Sequence, residues 1–446
     1  MSNILNFLVK SLLIVSVFAG RTKDQPTKFL MVLARHGARY PLAAGVSQNQ
    51  QGELTENGLR MCYLLGKYIR KTFSDFFPQK FDYNKNWIMA SGYPRTQMSA
   101  QAVMLGIYDF GSLNEELKVD KKYYTPEWEG FNIDDKLKTP LPEGFQPIPV
   151  HSFQSDENFL FNSFNFDLCP KFKSYAMKSS DKEGQELLKL ANELIDEIKK
   201  TGFNVKEIIG SETLDNAVDF YILADYIVAS KFIGKDFGFD EKLYQKIYLM
   251  YSMTMYYAFF KDSEFTKYQL TELGRAILGY IEQAKTAISK KDAHFTEFVL
   301  LNGHDINLFN FLALSKLTSY ECLKNAYLGQ PSKDNCYQMP AYAASIFFEM
   351  FENNGDLMIS TFYNGEEIDF CSSKSDTKAC SVNEFVTKFK TLLLNDEVSV
   401  LRTTYCVEPE MSKNTMMLAI LGFNVGVILV LSFLIFRFKK RASADE

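Results

Sequence analysis

The chain has 446 residues, of which 46% are hydrophobic and 23% are charged, and its formal net charge is −5. This length and balance exclude both a single small core and a disordered chain, and they predict a globular protein with two lobes. The acidic balance, without a long basic run, also argues against a nucleic-acid partner, so an anionic ligand would need a local cluster of cations.

The first residues have the pattern of a secretory signal. Leu12 to Ala19 is an apolar run that follows Lys10 and the α-amino group. Val17 and Ala19 are the small residues expected around a signal-peptidase cut. We therefore predict a signal peptide over residues 1–19.

Two strand–turn–helix units follow the signal segment. Lys28–Ala34 is a continuous apolar run, which predicts a buried parallel strand. Glu56–Thr72 has apolar residues at helical spacing, and Thr55 before it is a good helix N-cap. A second strand is predicted over Trp87–Ala90 and a second helix over Gln97–Met104. This alternation is typical of an α/β sheet with helices on its faces.

The middle of the chain has a helical pattern, and strand patterns return after it. The helical periodicity runs from about residue 180 to residue 282, which predicts an inserted helical lobe. Phe295–Leu301 is the next strand-like run. Ala344–Phe351 and Leu357–Phe362 then predict an antiparallel pair around Asn353-Asn354-Gly355.

A second hydrophobic segment lies near the C-terminus. Thr415–Phe436 holds no charged residue and is long enough to cross a bilayer as a helix. Four basic residues follow it in the last ten positions. Because basic residues favour the cytoplasmic side, we predict a membrane helix over residues 415–436, a cytoplasmic tail over 437–446 and a lumenal or extracellular body. A buried core helix is the alternative, and lysosome, secretory vesicle and cell surface all stay open as locations.

Seven cysteines fit an oxidising compartment. The predicted disulfides close two short loops and join the two remaining distant cysteines: Cys322–Cys336, Cys371–Cys380 and Cys169–Cys406. Spacing alone does not prove this connectivity. The seventh, Cys62, lies at helical spacing with Leu59 and Ile69, which predicts an inert buried thiol. No CxxC or HxxxH spacing occurs, so no metal site is predicted.

Histidines and arginines follow the predicted strands. His36 and His304 come directly after strand-like runs, and Arg35, Arg39 and Arg95 occur at similar positions. Ligands bind at the carboxyl ends of strands in open α/β sheets, so these side chains are expected to converge there. Alone, each would more often be a solvated arginine or a structural histidine. Together they predict a cationic pocket suited to a phosphate dianion.

The sequence around His36 resembles a family signature. The segment LARHGARYP, Leu33–Pro41, resembles the RHGxRxP motif of the histidine acid phosphatases, a branch of the phosphoglycerate-mutase-like superfamily. Further matches are Gly52–Thr55 with Gly58, Arg95-Thr96 with Ser99-Ala100, Gln146–His151, His304-Asp305, and Tyr342-Ala343 with Phe348-Glu349. The similarity runs from about Lys28 to Cys406. RHGxRxP with a downstream His-Asp pair is a specific signal, whereas His-Asp alone would be weak.

The resemblance implies an α/β fold, with a phosphoglycerate-mutase-like three-layer α/β/α core and an inserted helical lobe. With the helical pattern, it divides the chain into a core over residues 20–152 and 290–410 and a helical cap over residues 153–289.

The resemblance also implies an acid phosphatase for small phosphomonoesters. His36 would attack phosphorus and form a covalent phosphohistidine. Asp305 would donate a proton to the leaving alcohol, which favours acidic pH. The phosphoryl oxygens would be held by Arg35, Arg39, Arg95 and His304. The resemblance implies no metal or other cofactor, and it leaves a homodimer open.

Two other functions compete with this interpretation. A mutase or sugar bisphosphatase of the same superfamily would keep Arg35 and His36. Such enzymes generally use a glutamate donor and are cytosolic, so Asp305 and the signal segment count against them. A non-catalytic membrane receptor could bind anionic ligands in the arginine pocket. A receptor that had lost phosphatase activity would not need to keep the whole catalytic set. The presence of His36, Asp305 and three arginines therefore argues against a receptor.

Overall fold

The computed structural model describes the greater part of the chain between residues 25 and 407. The described residues are 25–42, 47–121, 124–126, 137–153, 159–163, 165–167, 169–176, 180–331, 336–371 and 378–407. Within those ranges, none of the helices has both the length and the apolar character needed to cross a bilayer. The predicted signal peptide (1–19), membrane helix (415–436) and cytoplasmic tail (437–446) lie outside them and stay predictions.

The described strands form one mixed sheet of seven strands. They are β1 (Thr27–Arg35), β2 (Asn86–Ala90), β3 (Phe298–Gly303), β4 (Ser345–Asn353), β5 (Asp356–Tyr363), β6 (Glu366–Ile368) and β7 (Cys380–Ser381). Their order is β2-β3-β1-β4-β5-β6, and β7 pairs with β5. β1 is parallel to β3 on one side and antiparallel to β4 on the other, so the predicted parallel pairing holds on one side of β1 only.

Helices surround this sheet. Those of the first and last parts of the chain are α1 (Glu56–Thr72), α2 (Pro94–Ile107), α10 (Asp305–Leu314), α11 (Tyr320–Tyr327), α12 (Val382–Lys390) and α13 (Val398–Cys406). Those between residues 159 and 290 are α3 (Phe159–Asn162), α4 (Pro170–Ala176), α5 (Lys182–Lys199), α6 (Val205–Ile209), α7 (Phe220–Phe232), α8 (Glu241–Phe260) and α9 (Ser263–Lys290).

The central strand β1 is buried on both faces. Leu30 and Val32 belong to one hydrophobic cluster, with residues of α1 and α2, whereas Met31 and Leu33 belong to the other. Because successive side chains of a strand point to opposite faces, a strand covered on both sides must be apolar throughout. This burial explains the unbroken apolar run, and helices on both faces agree with the predicted α/β class.

The larger hydrophobic cluster joins the sheet to the helices between residues 159 and 290. These helices occupy the part of the chain where the sequence predicts a helical lobe. The boundaries of that lobe at residues 153 and 289 stay a prediction. Residues of α7 and α8 belong to this cluster, and Asp225 of α7 pairs with Arg39, which follows β1, so the helical region reaches the predicted site.

The cysteines are paired in the structure as the spacing suggested. The disulfides are Cys169–Cys406, Cys322–Cys336 and Cys371–Cys380. Cys62 is a buried free thiol in α1. Burial raises its pKa to about 11, so the reactive thiolate is scarce at physiological pH.

Candidate active site

The carboxyl ends of three neighbouring strands meet at the predicted site. Arg35 is the last residue of β1 and lies opposite Gly303 at the end of β3. His36 and His304 follow these two strands directly, and their ring centroids are 5.6 Å apart. Arg95 is in the first turn of α2, which begins after β2. Parallel registration of β1, β2 and β3 therefore brings together side chains far apart in sequence.

The turn after His36 is packed tightly against α1 and α2. A side chain at Gly37 would place its Cβ 2.2 Å from the carbonyl oxygen of Gly58, so only glycine fits this contact. The Ser99 hydroxyl accepts a hydrogen bond from the Gly37 amide at 3.0 Å. The Thr55 hydroxyl donates to the Ala38 carbonyl at 2.9 Å. These contacts fix the backbone that carries His36.

One hydrogen bond sets the tautomer of His36. Its Nδ1 is 2.7 Å from the carbonyl oxygen of Gly37. A carbonyl oxygen can only accept a hydrogen bond, so Nδ1 must carry the proton. In the neutral ring, Nε2 then keeps its lone pair. His36 is thus held in the tautomer that a nucleophilic imidazole requires.

Both histidines of the site are held neutral. Burial, followed by the charges of Arg95 and Arg35, lowers the pKa of His36 well below its ordinary value. Burial and the same two arginines do the same to the pKa of His304. The His304 Nε2 lies 3.0 Å from the Ser91 hydroxyl, which orients the ring. Neutral rings beside fixed arginines leave the positive charge of the pocket on the guanidinium groups.

Arg35 is engaged by Asp305 and by the segment before β4. Its Nη2 is 2.7 Å from the Asp305 carboxylate, and its Nη1 donates to the Pro340 carbonyl at 2.5 Å. The guanidinium also lies over the Tyr342 ring, 4.1 Å from its centroid. Burial lowers the pKa of Arg35, but the Asp305 carboxylate and, after it, Tyr342, Tyr251 and Tyr248 together raise it above its ordinary value.

Arg39 is engaged by a carboxylate of the helical region. Asp225 in α7 accepts hydrogen bonds from its Nη2 at 2.6 Å and from its Nη1 at 3.3 Å. Both side chains are buried, with 4% and 5% of their surface exposed. Burial by itself would lower the pKa of Arg39, but Asp225 holds it well above the ordinary value.

Arg95 has no such partner. Among the described residues, no carboxylate lies within ion-pair distance of its guanidinium, which stacks on the Tyr93 ring at 4.3 Å. Burial and the charge of Arg39 lower the pKa of Arg95 to about 10, so it remains charged at any physiological pH. Arg95 is therefore the guanidinium most available to an incoming anion.

The structure brings the six predicted site residues close together at the carboxyl ends of β1, β2 and β3, and it adds Asp225, which the sequence analysis did not predict. The sequence does hold a signal for this residue, since Asp225 is the only charged residue in the apolar segment 220–230. Tyr342 was noted only as part of a family match, yet its ring centroid is 5.9 Å from that of His36. In the described ranges, no cluster of three or more His, Cys, Asp or Glu residues is placed to hold a metal ion.

Comparison with known proteins shows that most of the chain is similar to histidine phosphatases. The family model described as the histidine phosphatase superfamily, branch 2, matches residues 44–364. That match begins after His36 and Arg39 and includes Arg95, His304 and Asp305. Mouse prostatic acid phosphatase is 22% identical over 374 residues, which cover 80% of this chain and 83% of that protein. Bovine lysosomal acid phosphatase is 26% identical over 161 residues, 34% of this chain and 32% of that protein.

Solved structures share the fold. The Hafnia alvei phytase in complex with tartrate superposes with a TM-score of 0.55 at 14% identity, covering 84% of this chain and 98% of that one. The Klebsiella phytase gives the same TM-score at 12% identity, covering 87% of this chain and 100% of that one. Identities this low establish a common fold alone.

Proposed function

The chain belongs to branch 2 of the histidine phosphatase superfamily, and we propose that it is an acid phosphatase that hydrolyses small phosphate monoesters through a phosphohistidine at His36. The observation that carries this proposal is the state of His36. Its Nδ1 hydrogen bond and its lowered pKa leave a neutral ring with a lone pair on Nε2 beside three arginines. The acid phosphatase names of its relatives support the same activity.

In the first half-reaction, the His36 Nε2 lone pair attacks phosphorus and forms the P–N bond. The bond between phosphorus and the ester oxygen breaks, and the departing oxygen takes a proton from the Asp305 carboxyl group. The negative charge on the phosphoryl oxygens is stabilised by Arg95, by the free N–H groups of Arg35 and Arg39, and by His304.

The Asp305 carboxyl group lies beside Arg35, where the phosphoryl group would bind. In the structure the Asp305 carboxylate accepts from Arg35 at 2.7 Å and from the Ile306 amide at 2.9 Å. The phosphoryl group would bind the N–H groups of Arg35 that Asp305 and Pro340 do not use. Asp305 would then lie beside the phosphoryl group, where its protonated form can serve as the acid.

In the second half-reaction, water attacks the phosphohistidine. Asp305, now a carboxylate, takes the proton from the water as the P–O bond forms and the P–N bond breaks. His36 returns to its neutral state, and inorganic phosphate leaves. The lowered pKa of His36 suits acidic conditions, because an ordinary histidine would be protonated there and could not attack.

A turnover assay tests this function directly. The full chain should release inorganic phosphate from phenyl phosphate, with a higher rate below neutral pH than above it. A non-catalytic receptor would bind the substrate without turnover. A mutase would transfer the phosphoryl group between acceptor hydroxyls rather than to water, so retention of phosphate on the acceptor would contradict hydrolysis.

The charge of Arg95 should set the acid limit of activity. In Arg95→Gln, one cause of the low pKa of His36 is removed, so that pKa rises and His36 becomes protonated at a higher pH. We expect the acid limb of the kcat/KM profile to move toward neutral pH. We also expect kcat/KM at the optimum to fall, by an amount that corresponds to a loss of about 2–4 kcal/mol of transition-state stabilisation, the value of one preorganised donor.

Arg60→Gln is the matched control for this experiment. Arg60 is an exposed arginine of α1 whose guanidinium lies over the Tyr63 ring. Arg60→Gln should change neither the position of the acid limb nor the value of kcat/KM at the optimum. A uniform loss in Arg95→Gln, without movement of the acid limb, would refute the assigned effect on His36.

We further propose a single-span topology with the catalytic body in the lumen or outside the cell. The proposal rests on the apolar segments at residues 12–19 and 415–436 and on the basic residues that follow the second. In sealed microsomes, added protease should shorten the chain by no more than the tail over residues 437–446. Digestion of the body in intact vesicles would contradict this topology.

A further inference from the structure

Asp225 is a buried carboxylate in the apolar middle of a helix. It lies in the middle of α7, it is 4% exposed, and it is the only charged residue between Phe220 and Ser230. A buried carboxylate is costly unless it is paired and hydrogen-bonded. Asp225 therefore needs a cationic partner. In the structure that partner is Arg39, one of the residues predicted to bind phosphate.

Asp225 occupies one defined edge of the Arg39 guanidinium. Its two oxygens accept from Nη2 at 2.6 Å and from Nη1 at 3.3 Å. Nη1 also donates to the Tyr40 carbonyl at 3.0 Å. The Leu42 amide donates to the same carboxylate at 2.9 Å, so Asp225 holds the backbone after Arg39 as well as its side chain.

The remaining donors of Arg39 lie on a second edge. A guanidinium has five N–H groups in a rigid plane. Two on Nη1 and one on Nη2 are used by Asp225 and Tyr40, which leaves Nε–H and the second Nη2–H. These two N–H groups are parallel and form the fork that matches two oxygens of a phosphoryl group.

We propose that Asp225 is a positioning residue of the active site, which binds one edge of Arg39 so that the opposite edge is directed at the phosphoryl group in the transition state. The inference rests on the proposed function, and it adds to it a residue outside the family motifs. The effect of Asp225 on the reaction passes through Arg39, since Asp225 itself makes no contact with the reacting atoms in this mechanism.

Other contacts hold α7 where Asp225 can act. The Asn57 side chain in α1 donates to the Phe232 carbonyl at 2.7 Å. The Phe232 ring meets the Tyr342 ring with centroids 5.0 Å apart. The last turn of α7 is thus fastened to the core beside the pocket, and the middle of α7 is fastened through Asp225. An ion pair that served stability alone would not need to leave a free fork on Arg39.

Binding of two anions by the full chain tests the proposal. Orthovanadate mimics the five-coordinate transition state, whereas inorganic phosphate resembles a ground state. In Asp225→Asn, we expect the dissociation constant of vanadate to rise by about tenfold to a hundredfold, as when one preorganised donor is lost. That of phosphate should change by less than about threefold, because Arg39 keeps its charge but not its orientation. A positioning role would be refuted if the dissociation constants of both anions rose by the same factor. It would also be refuted if neither constant changed.

Three further variants separate positioning from folding. Asp225→Glu keeps the charge and should recover part of the vanadate affinity. Asp219→Asn makes the same change at the start of α7, away from the ion pair, and should alter neither constant. In an Arg39→Lys background, lysine has no planar edge to orient, so adding Asp225→Asn should cost less than about threefold in vanadate affinity. An undiminished loss there would show that Asp225 acts by another route.

The wild-type chain distinguishes this inference from the proposed function. Suppose that the wild-type chain binds both anions and the variants change the dissociation constants as expected, but the wild type releases no phosphate from phenyl phosphate. The hydrolase function then fails and the positioning role stands. If the wild type hydrolyses phenyl phosphate but Asp225→Asn binds vanadate normally, the positioning role alone fails. A wild-type chain that binds neither anion contradicts both.

Discussion

Replacing His36 with alanine is expected to abolish turnover while the protein remains folded. No other described side chain at the site combines a neutral nitrogen lone pair with a position beside three arginines. His304 is also neutral, but its Nε2 is occupied by the Ser91 hydroxyl. The loss should be on the order of 10⁶-fold in kcat, the scale seen when a covalent nucleophile is removed from a hydrolase.

Rapid quenching should trap the phosphohistidine that the proposed mechanism places on His36. Wild-type enzyme mixed with labelled substrate should give an acid-labile, alkali-stable phosphoramidate on one peptide, and His36→Ala should give none. His151→Ala is the control, because His151 stacks on Trp87 with ring centroids 4.0 Å apart and has no role in the mechanism. Label on a residue other than His36 would refute the mechanism even if His36→Ala were inactive.

The sequence predicted the elements around the pocket well because their signals are local. β1 extends one residue beyond each end of the predicted strand, since the apolar run matches burial on both faces. α1 has the predicted bounds, and the Thr55 side chain caps it by accepting from the Gly58 amide. β3 begins three residues later than predicted and ends at Gly303, because pairing with β1 and β2 carries polar Asn302 and Gly303 into the strand.

The electrostatic arrangement of the pocket could not be predicted in this way. Arg39 and Asp225 are 186 positions apart, and their pairing depends on how α7 docks onto the end of the sheet. Strand ends indicate which residues converge, but not which charges neutralise one another. The sequence predicts that all three arginines hold the phosphoryl oxygens, and it does not reveal that two of them are also paired with carboxylates in the structure. Arg95 has no carboxylate partner among the described residues, so in the proposed mechanism it is the uncompensated charge that attracts the anion.

Replacing Asp305 with asparagine should slow the phosphorylation step according to the leaving group. An alkyl phosphate needs a proton on the departing oxygen, so its rate should fall by about 10²–10⁴-fold, the usual contribution of a positioned acid. Nitrophenyl phosphate should lose much less, because nitrophenolate can leave without a proton. The two rates should be measured by pre-steady-state kinetics, since in the proposed mechanism Asp305 also serves as the base in the later attack of water.

Because Asp305 is paired with Arg35, the effect of Asp305→Asn can be interpreted only by comparing the two leaving groups. Asparagine removes the proton donor and also the carboxylate that Arg35 contacts at 2.7 Å. The second change would alter the position of Arg35 and weaken stabilisation of the phosphoryl oxygens for every substrate alike. A loss of proton donation, by contrast, depends on the basicity of the leaving oxygen. Equal losses for alkyl and nitrophenyl phosphates would therefore assign Asp305 to holding Arg35 and would remove it from the role of general acid.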